Sequence, residues 1–254
     1  SGLKGFFESL LRRFKTLMQI AVMIPFYTGS FLILGACLVP GITLFREVSL
    51  LTADKHVLIQ NFGYGISIAF GFLLYGVTLI FVVPVVNFAL RAKLAPWRGP
   101  YFSNEAIKWV LHNFLTYMVR YTFLEFVTPS PLSVLFYKMM GMKIGYGAAI
   151  NTTCISDPCL IELGNKVTLG GSVTIVAHYG QGGFLVIAPV KIGNGCTIGL
   201  RATIMGGVEI GDDAKVLPNS VVMPKTIIPA GETWGGVPAK KVEVDSSSPL
   251  VRLA

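Results

Sequence analysis

The sequence predicts a mainly β C-terminal half, a left-handed parallel β-helix, joined to an α-helical transmembrane N-terminal region. Three observations predict it. Charged residues make up 13% of the 254 residues, about half the usual share in a soluble domain. Two long stretches near the N-terminus, 16–45 and 57–90, hold no charged residue at all. From position 192 onward an apolar residue recurs at every sixth place.

The uncharged stretches come first in the chain. A helix needs about 20 apolar residues to cross the hydrocarbon core, and both stretches are longer than that. Pro25, Pro40 and Pro84 mark kinks or ends, and Gly63, Gly65, Gly71 and Gly76 give the second stretch a face for close helix packing. Lys4, Arg12, Arg13 and Lys15 precede the first stretch, and Arg91, Lys93 and Arg98 follow the second. The connection balances Arg46 and Lys55 against Glu47 and Asp54. The positive-inside bias then predicts a hairpin with both ends in the cytosol, a multi-pass protein of the cytoplasmic (inner) membrane. A secretory leader is not expected, because the first apolar run is too long and a second follows it. The chain opens Ser1-Gly2, so a longer natural chain is expected.

Residues 1–15 alternate Leu and Phe with basic groups, as an amphipathic surface helix does. Residues 105–127 repeat the pattern: Val110, Phe114 and Met118 recur every fourth place, while Lys108, His112, Arg120 and Glu125 interrupt. An interfacial helix is expected there in preference to a third span. The short apolar run 131–142 is expected to dock the C-terminal half against the membrane. The expected division is therefore a membrane region at 1–142, the β-helix at 143–243 and a tail at 244–254.

The period of six rests on Ile192, Ile198, Ile204, Ile210, Val216, Val222, Ile228 and Trp234, with Gly after several of them. Leu163, Leu169 and Ile175 extend the row upstream, and Ile144 and Ile150 begin it. A fixed short period is the mark of a solenoid. One short strand per hexad makes a flat face, three faces make a coil, and the aliphatic residue of each hexad stacks inward on the next coil. Ile175 and Ile192 are 17 residues apart, so the register breaks between them. Counting back in sixes from Ile192 reaches Val186 and predicts an insertion of about five residues in VAHYGQGGFL. A loop on a rigid scaffold is a natural place for chemistry, and His178 within it suits general-base work near neutral pH. His56 and His112 are expected to be structural.

A net charge of +8 suits a positive-inside membrane protein. Nucleic acid is not expected as a partner, because the basic residues form no run and no recognition motif. Cys37, Cys154, Cys159 and Cys196 form no CxxC pair and have no His at zinc spacing, so reduced packing residues and no metal are expected.

Residues 157–240 resemble the hexapeptide-repeat acyltransferases, most of all the galactoside, maltose and colanic-acid O-acetyltransferase branch. Three stretches carry the resemblance: SDPCLIELGNKVTLGGSVTIVAH, PVKIGNGCTIGLRATIMGGVEIGDDAKV and the terminal Gly236-Val237-Pro238-Ala239-Lys240. It implies His178 as general base, acting as an acceptor hydroxyl or amine attacks an acyl thioester. It implies acceptor contacts from Asp157 and, more weakly, Asn151. The donor it implies is acyl-CoA, acetyl-CoA first. The pantetheine arm would lie along the coil by Gly199, Leu200, Ala202 and Pro218, with Lys225, Lys240 or Lys241 near the phosphates. It also implies a homotrimer with its site in a cleft between subunits. The chain departs from the family in its membrane half, in Thr197 where some relatives carry Trp, and in the irregular stretch 150–163.

The membrane-plus-coil layout also resembles the terminal region of membrane-bound peptide-synthetase-like proteins, which implies a carrier-bound aminoacyl thioester as a second donor. The leading expectation is acyl transfer from a cytosolic thioester to a lipid-linked or amphiphilic acceptor at the bilayer. Aminoacyl or peptidyl transfer with a carrier protein comes second. A non-enzymatic scaffold, with loop 176–185 as a contact surface, comes third.

Overall fold

A computed structural model describes residues 15–243. The expected surface helix at 1–15 and the tail at 244–254 lie outside the described residues, apart from Lys15. The chain divides into two compact units. One holds the residues up to Ala92 together with Phe114–Glu125; the other holds Lys93–Asn113 and the chain from Phe126 onward.

In the first unit, two long helices span Lys15–Thr52 and Val57–Ala89, with Pro25, Pro40 and Pro84 inside them. Both are long and apolar enough to cross a membrane. They cross where glycine meets glycine: a Cβ on Gly41 would stand 2.9 Å from the Gly71 Cα. Gly63 packs on Val48 and Thr52, and Gly76 accommodates the ring of Phe123, whereas Gly65 faces open space. Phe123 lies in a π turn, Arg120–Leu124, a local widening of a helix that re-aims its side chains. His56 caps the second helix, its Nδ1 accepting from Leu58 N at 3.3 Å.

In the second unit, the six-residue row becomes a triangular parallel coil. The inward residues sort onto three faces. Ile144, Leu163, Ile192, Ile210 and Ile228 stack on the first. Ile150, Leu169, Ile198, Val216 and Trp234 stack on the second. Ile155, Ile175, Ile204 and Val222 stack on the third. Most of these side chains are at or below 4% exposure. Outward, the first face carries alternating charges, with Lys143 against Glu162 at 3.0 Å and Lys191 against Glu209 at 3.7 Å. Such exposed pairs add at most about 1 kcal/mol each. All four cysteines are free thiols.

The break in register is larger than the sequence count gave. Ile192 to Ile210 and Ile210 to Ile228 are 18 residues each, one full coil, but Leu163 to Ile192 is 29, so 11 residues are inserted. They form a β-hairpin, His178–Gln181 paired with Phe184–Ile187, turning at Gly182 and Gly183, both at positive φ. Val186 is therefore a hairpin residue and no part of the coil row. Counting in sixes could not register this, because the returning hairpin strand, Phe184–Ile187, is itself apolar.

The boundary expected at residue 142 also moves. The strand Trp97–Pro100 pairs antiparallel with Phe184–Ile187, and Arg98 stacks over the Phe184 ring at 4.7 Å. The helix Pro131–Met139, capped by Ser130, buries Phe136 and Tyr137 and packs on the first coil, where Tyr137 Oη donates to Thr153 O at 3.1 Å. Residues 93–113 and 126–142 thus belong with the coil. At the far end, Lys240–Lys241 turns back antiparallel onto Thr233–Gly235 and closes the last coil.

Candidate active site

The corner between the third and first faces is where the repeat fails. In the last two complete coils it is crossed in six residues, Ile204 to Ile210 and Val222 to Ile228. In the first it takes eight, Ile155 to Leu163, and in the second 17, Ile175 to Ile192. The first excursion is Asp157, in left-handed conformation at φ 59°, followed by a short 3-10 turn Pro158–Leu160. The second is the hairpin that begins at His178. Coils stack in register, so the two excursions lie one above the other and bring together residues 21 apart in sequence.

His178 Nδ1 lies 2.5 Å from Asp157 Oδ2. The imidazole side chain is 22% exposed and the carboxylate is fully buried. The carboxylate accepts two further bonds: Oδ2 from Ala177 N at 3.1 Å, and Oδ1 from Asn113 Nδ2 at 2.6 Å. A carboxyl group buried without such partners would be costly. A tautomer with Nδ1–H donating to Asp157 would leave the lone pair of His178 on Nε2. Chemically, a pair arranged in this way can orient an imidazole with one nitrogen open to take a proton.

A helix the sequence reading had set at the membrane interface walls this corner. Asn104–Val119 contributes Trp109, His112 and Asn113, spaced on one helical face. The Trp109 ring packs edge-on against His178, with centroids 4.9 Å apart at 71°. His112 is fully buried. Burial pushes its imidazole down to about 4, although the Asp157 charge pulls the other way. It is therefore neutral at pH 7. Below, Gly206 supports the site, since a Cβ there would stand 2.9 Å from His178 N.

Apart from Asp157, the other sequence-selected residues do not contact His178. An acceptor contact by Asp157 does not fit its burial and its three partners; its position suits orienting the histidine. The family position was legible in sequence, but burial is decided by the helix overhead. Asn151 is exposed on the corner between the second and third faces, beside Gly171. Leu200, also exposed, packs there too, and Pro218 follows one coil on against Gly199, while Ala202 is buried. Asn151 therefore groups with the residues assigned to the donor. Lys225 lies in the histidine's own corner column, its N donating to Gly206 O at 3.1 Å. Lys240 lies beyond the last coil, exposed. Among the described residues no cluster of three or more His, Cys, Asp or Glu could hold a metal.

Sequence reasoning missed Trp109, Asn113 and Gly206. The first two had a signal, since Trp, His and Asn at spacings of three and four share one face of the helix.

Comparison with known proteins agrees with this architecture. A family model described as "Hexapeptide repeat of succinyl-transferase" matches residues 189–224. Serine acetyltransferase of Helicobacter pylori (strain ATCC 700392 / 26695) is 31% identical over 118 residues, 45% of this chain and 68% of the relative. The chain belongs to the hexapeptide-repeat acyltransferase family, with the β-helix as its family fold. Delta-poly-L-ornithine synthetase of Acinetobacter baumannii (strain AB307-0294) is 22% identical over 89% of this chain, which spans only 17% of that protein's length. A maltose O-acetyltransferase from Clostridium difficile 630 aligns in structure with a TM-score of 0.44 and 19% identity, over 59% of this chain and 94% of that one.

Proposed function

We propose that this protein is a membrane-anchored acyltransferase that moves an acyl group, acetyl first, from a CoA thioester to a hydroxyl or amine of a membrane-associated acceptor. His178 is the general base and Asp157 orients it. The observation that carries the reading is the 2.5 Å contact between His178 Nδ1 and the buried Asp157 carboxylate, which leaves Nε2 as the basic atom. Nε2 takes the acceptor proton as the acceptor oxygen or nitrogen bonds to the thioester carbonyl carbon. The C–S bond then breaks, and the departing sulfur takes the proton from the imidazolium. Acyl ester or amide and free thiol are the products, with no net change in protons on the enzyme. Positioned bases of this kind contribute about 10²–10⁴-fold.

Acyl-CoA as donor is supported by the family, and Leu200 and Pro218 with Lys225 or Lys240 are the proposed contacts. A bilayer location is supported by the two long apolar helices, with the coil on the cytosolic side where CoA is found. A homotrimer is the proposed assembly.

The test is thiol release from acetyl-CoA by the purified protein in detergent, with a bacterial membrane-lipid extract as acceptor, for wild type and His178→Ala. Release by wild type alone supports the reading, and the mass of the modified lipid identifies the acceptor. Equal release by both removes His178 from the role of base.

A second reading is aminoacyl transfer from a carrier-bound thioester. It is favoured by the similarity to the ornithine synthetase, which runs through the helical half as well as the coil. Failure of every common acyl-CoA, with turnover of an aminoacyl pantetheine thioester, would select it.

A further inference from the structure

We infer that Asn113 is a positioning residue: its reciprocal pair with Asp157 holds the carboxylate oxygen that orients His178. The inference rests on His178 acting as the base.

Asn113 and Asp157 are 44 residues apart, and both are buried, at 5% and 0% exposure. Asn113 Nδ2 donates to Asp157 Oδ1 at 2.6 Å and to Trp109 O, one turn back on its own helix, at 3.1 Å. Its Oδ1 accepts from Asp157 N at 3.1 Å. Every polar atom of the amide is thereby used. The amide can face only one way. Turned over, its oxygen would meet the carboxylate oxygen and its NH2 would meet the N–H of Asp157, leaving two buried clashes of like polarity.

The backbone of Asp157 explains why a partner from outside the coil is needed. At φ 59° and immediately before Pro158, Asp157 has left the coil ladder. Its N–H is satisfied by Asn113 in place of a neighbouring strand. Oδ2 has donors within the coil excursions, Ala177 N and His178 Nδ1; Oδ1 has Asn113. Without Asn113 the carboxylate has a free oxygen in a buried place and is held against rotation about its Cβ–Cγ bond through Oδ2 alone. His178 then loses the fixed acceptor that keeps its proton on Nδ1. The same helix braces the imidazole from the other side through Trp109. Asn113 touches no substrate in this account and acts only through Asp157.

The tautomer of His178 is the direct readout. The chain has three histidines, so nitrogen NMR of the full chain in detergent, labelled at histidine nitrogens, resolves them. A His178→Ala sample assigns the signal. Wild type is expected to show one His178 tautomer, protonated at Nδ1. Asp157→Asn is the reference for its loss. Asn113→Ala, and Asn113→Leu, which keeps most of the volume but has no donor, are both expected to give a mixture with a substantial Nε2–H share. Thiol release should fall about 10–100-fold in parallel. An Asn113 that only stabilised the fold would lower the melting temperature and leave the tautomer unchanged. If Asn113→Ala does not fold, Asn113→Leu decides. A single Nδ1–H tautomer in the folded Asn113 variant overturns the inference, as does its survival in Asp157→Asn. The underlying reading fails separately, by an active His178→Ala in the thiol-release assay.

Discussion

Two columns of the same coil carry opposite lessons. Along the corner between the first and second faces, every crossing takes six residues, from Ile144–Ile150 through Ile228–Trp234. Along the corner between the third and first faces, the crossings take eight, 17, six and six. The regular corner is built from turns that stack glycine on backbone, such as Gly193 over Gly211 and Asp212, and Gly211 over Ala230. It holds the prism together and displays no oriented acid–base pair. The irregular corner spends two coils leaving the repeat, and the His178–Asp157 pair forms there. Repetition supplies a rigid frame whose stability adds coil by coil; departure from it, at one place twice, creates buried polar groups that need partners.

The sharpest way to break this contrast is at the pair itself. His178→Ala is expected to reduce thiol release by about 10²–10⁴-fold. Asp157→Asn should come close to it, through the wrong imidazole tautomer; unchanged activity there would detach the orienting role from Asp157. On the regular side, Ile198→Ala should cost about 2–5 kcal/mol in chemical denaturation, because Ile198 is fully buried between Leu169 and Val216.

A matched pair of glycines sharpens the comparison. Gly206→Ala presses on His178 N and Gly211→Ala on Ala230 N at 2.5 Å. Both should cost about 1–3 kcal/mol, but only Gly206→Ala should also lower the turnover of folded protein. Equal turnover in the two variants would mean that the position of His178 tolerates a shift.

Acid offers a gentler probe of the same corner. His112 titrates near 4 in the fold because burial lowers it, against about 6.5 in an unfolded chain. Its contribution is intact above the unfolded value and lost as pH falls from about 6.5 toward 4, where the unfolded state takes a proton that the folded state refuses. Denaturation at pH 7 and pH 5 should show a loss that is smaller in His112→Gln. The smallest effect belongs to the charge ladder. Lys191→Ala, on an exposed pair, should shift stability by less than about 1 kcal/mol.

Much of the coil was readable because a β-helix repeats its chemistry at a fixed interval. Apart from Val186, the residues of the six-residue row stack in register on the three faces, and the row located the failure of register. The size of the failure was misread. Leu185, Val186 and Ile187 are apolar because they pack in the hairpin, with Leu185 and Ile187 against Ala106 and the indoles of Trp97 and Trp109, and composition does not distinguish this from coil packing. His178 and Asp157 were singled out, yet the role given to Asp157 assumed an exposed side chain.

By itself, then, the sequence determined the repeat, the two long apolar helices and the histidine at the break, because each is a local pattern of side-chain type against backbone period. Only the tertiary structure decided the rest: that the eight- and 17-residue excursions stack at one corner, that Trp97–Pro100 completes the hairpin sheet, and that Asn113 closes over Asp157. Those outcomes depend on the unmet hydrogen bonds of a buried carboxylate and on which distant segment can reach them. A linear pattern carries no record of that reach.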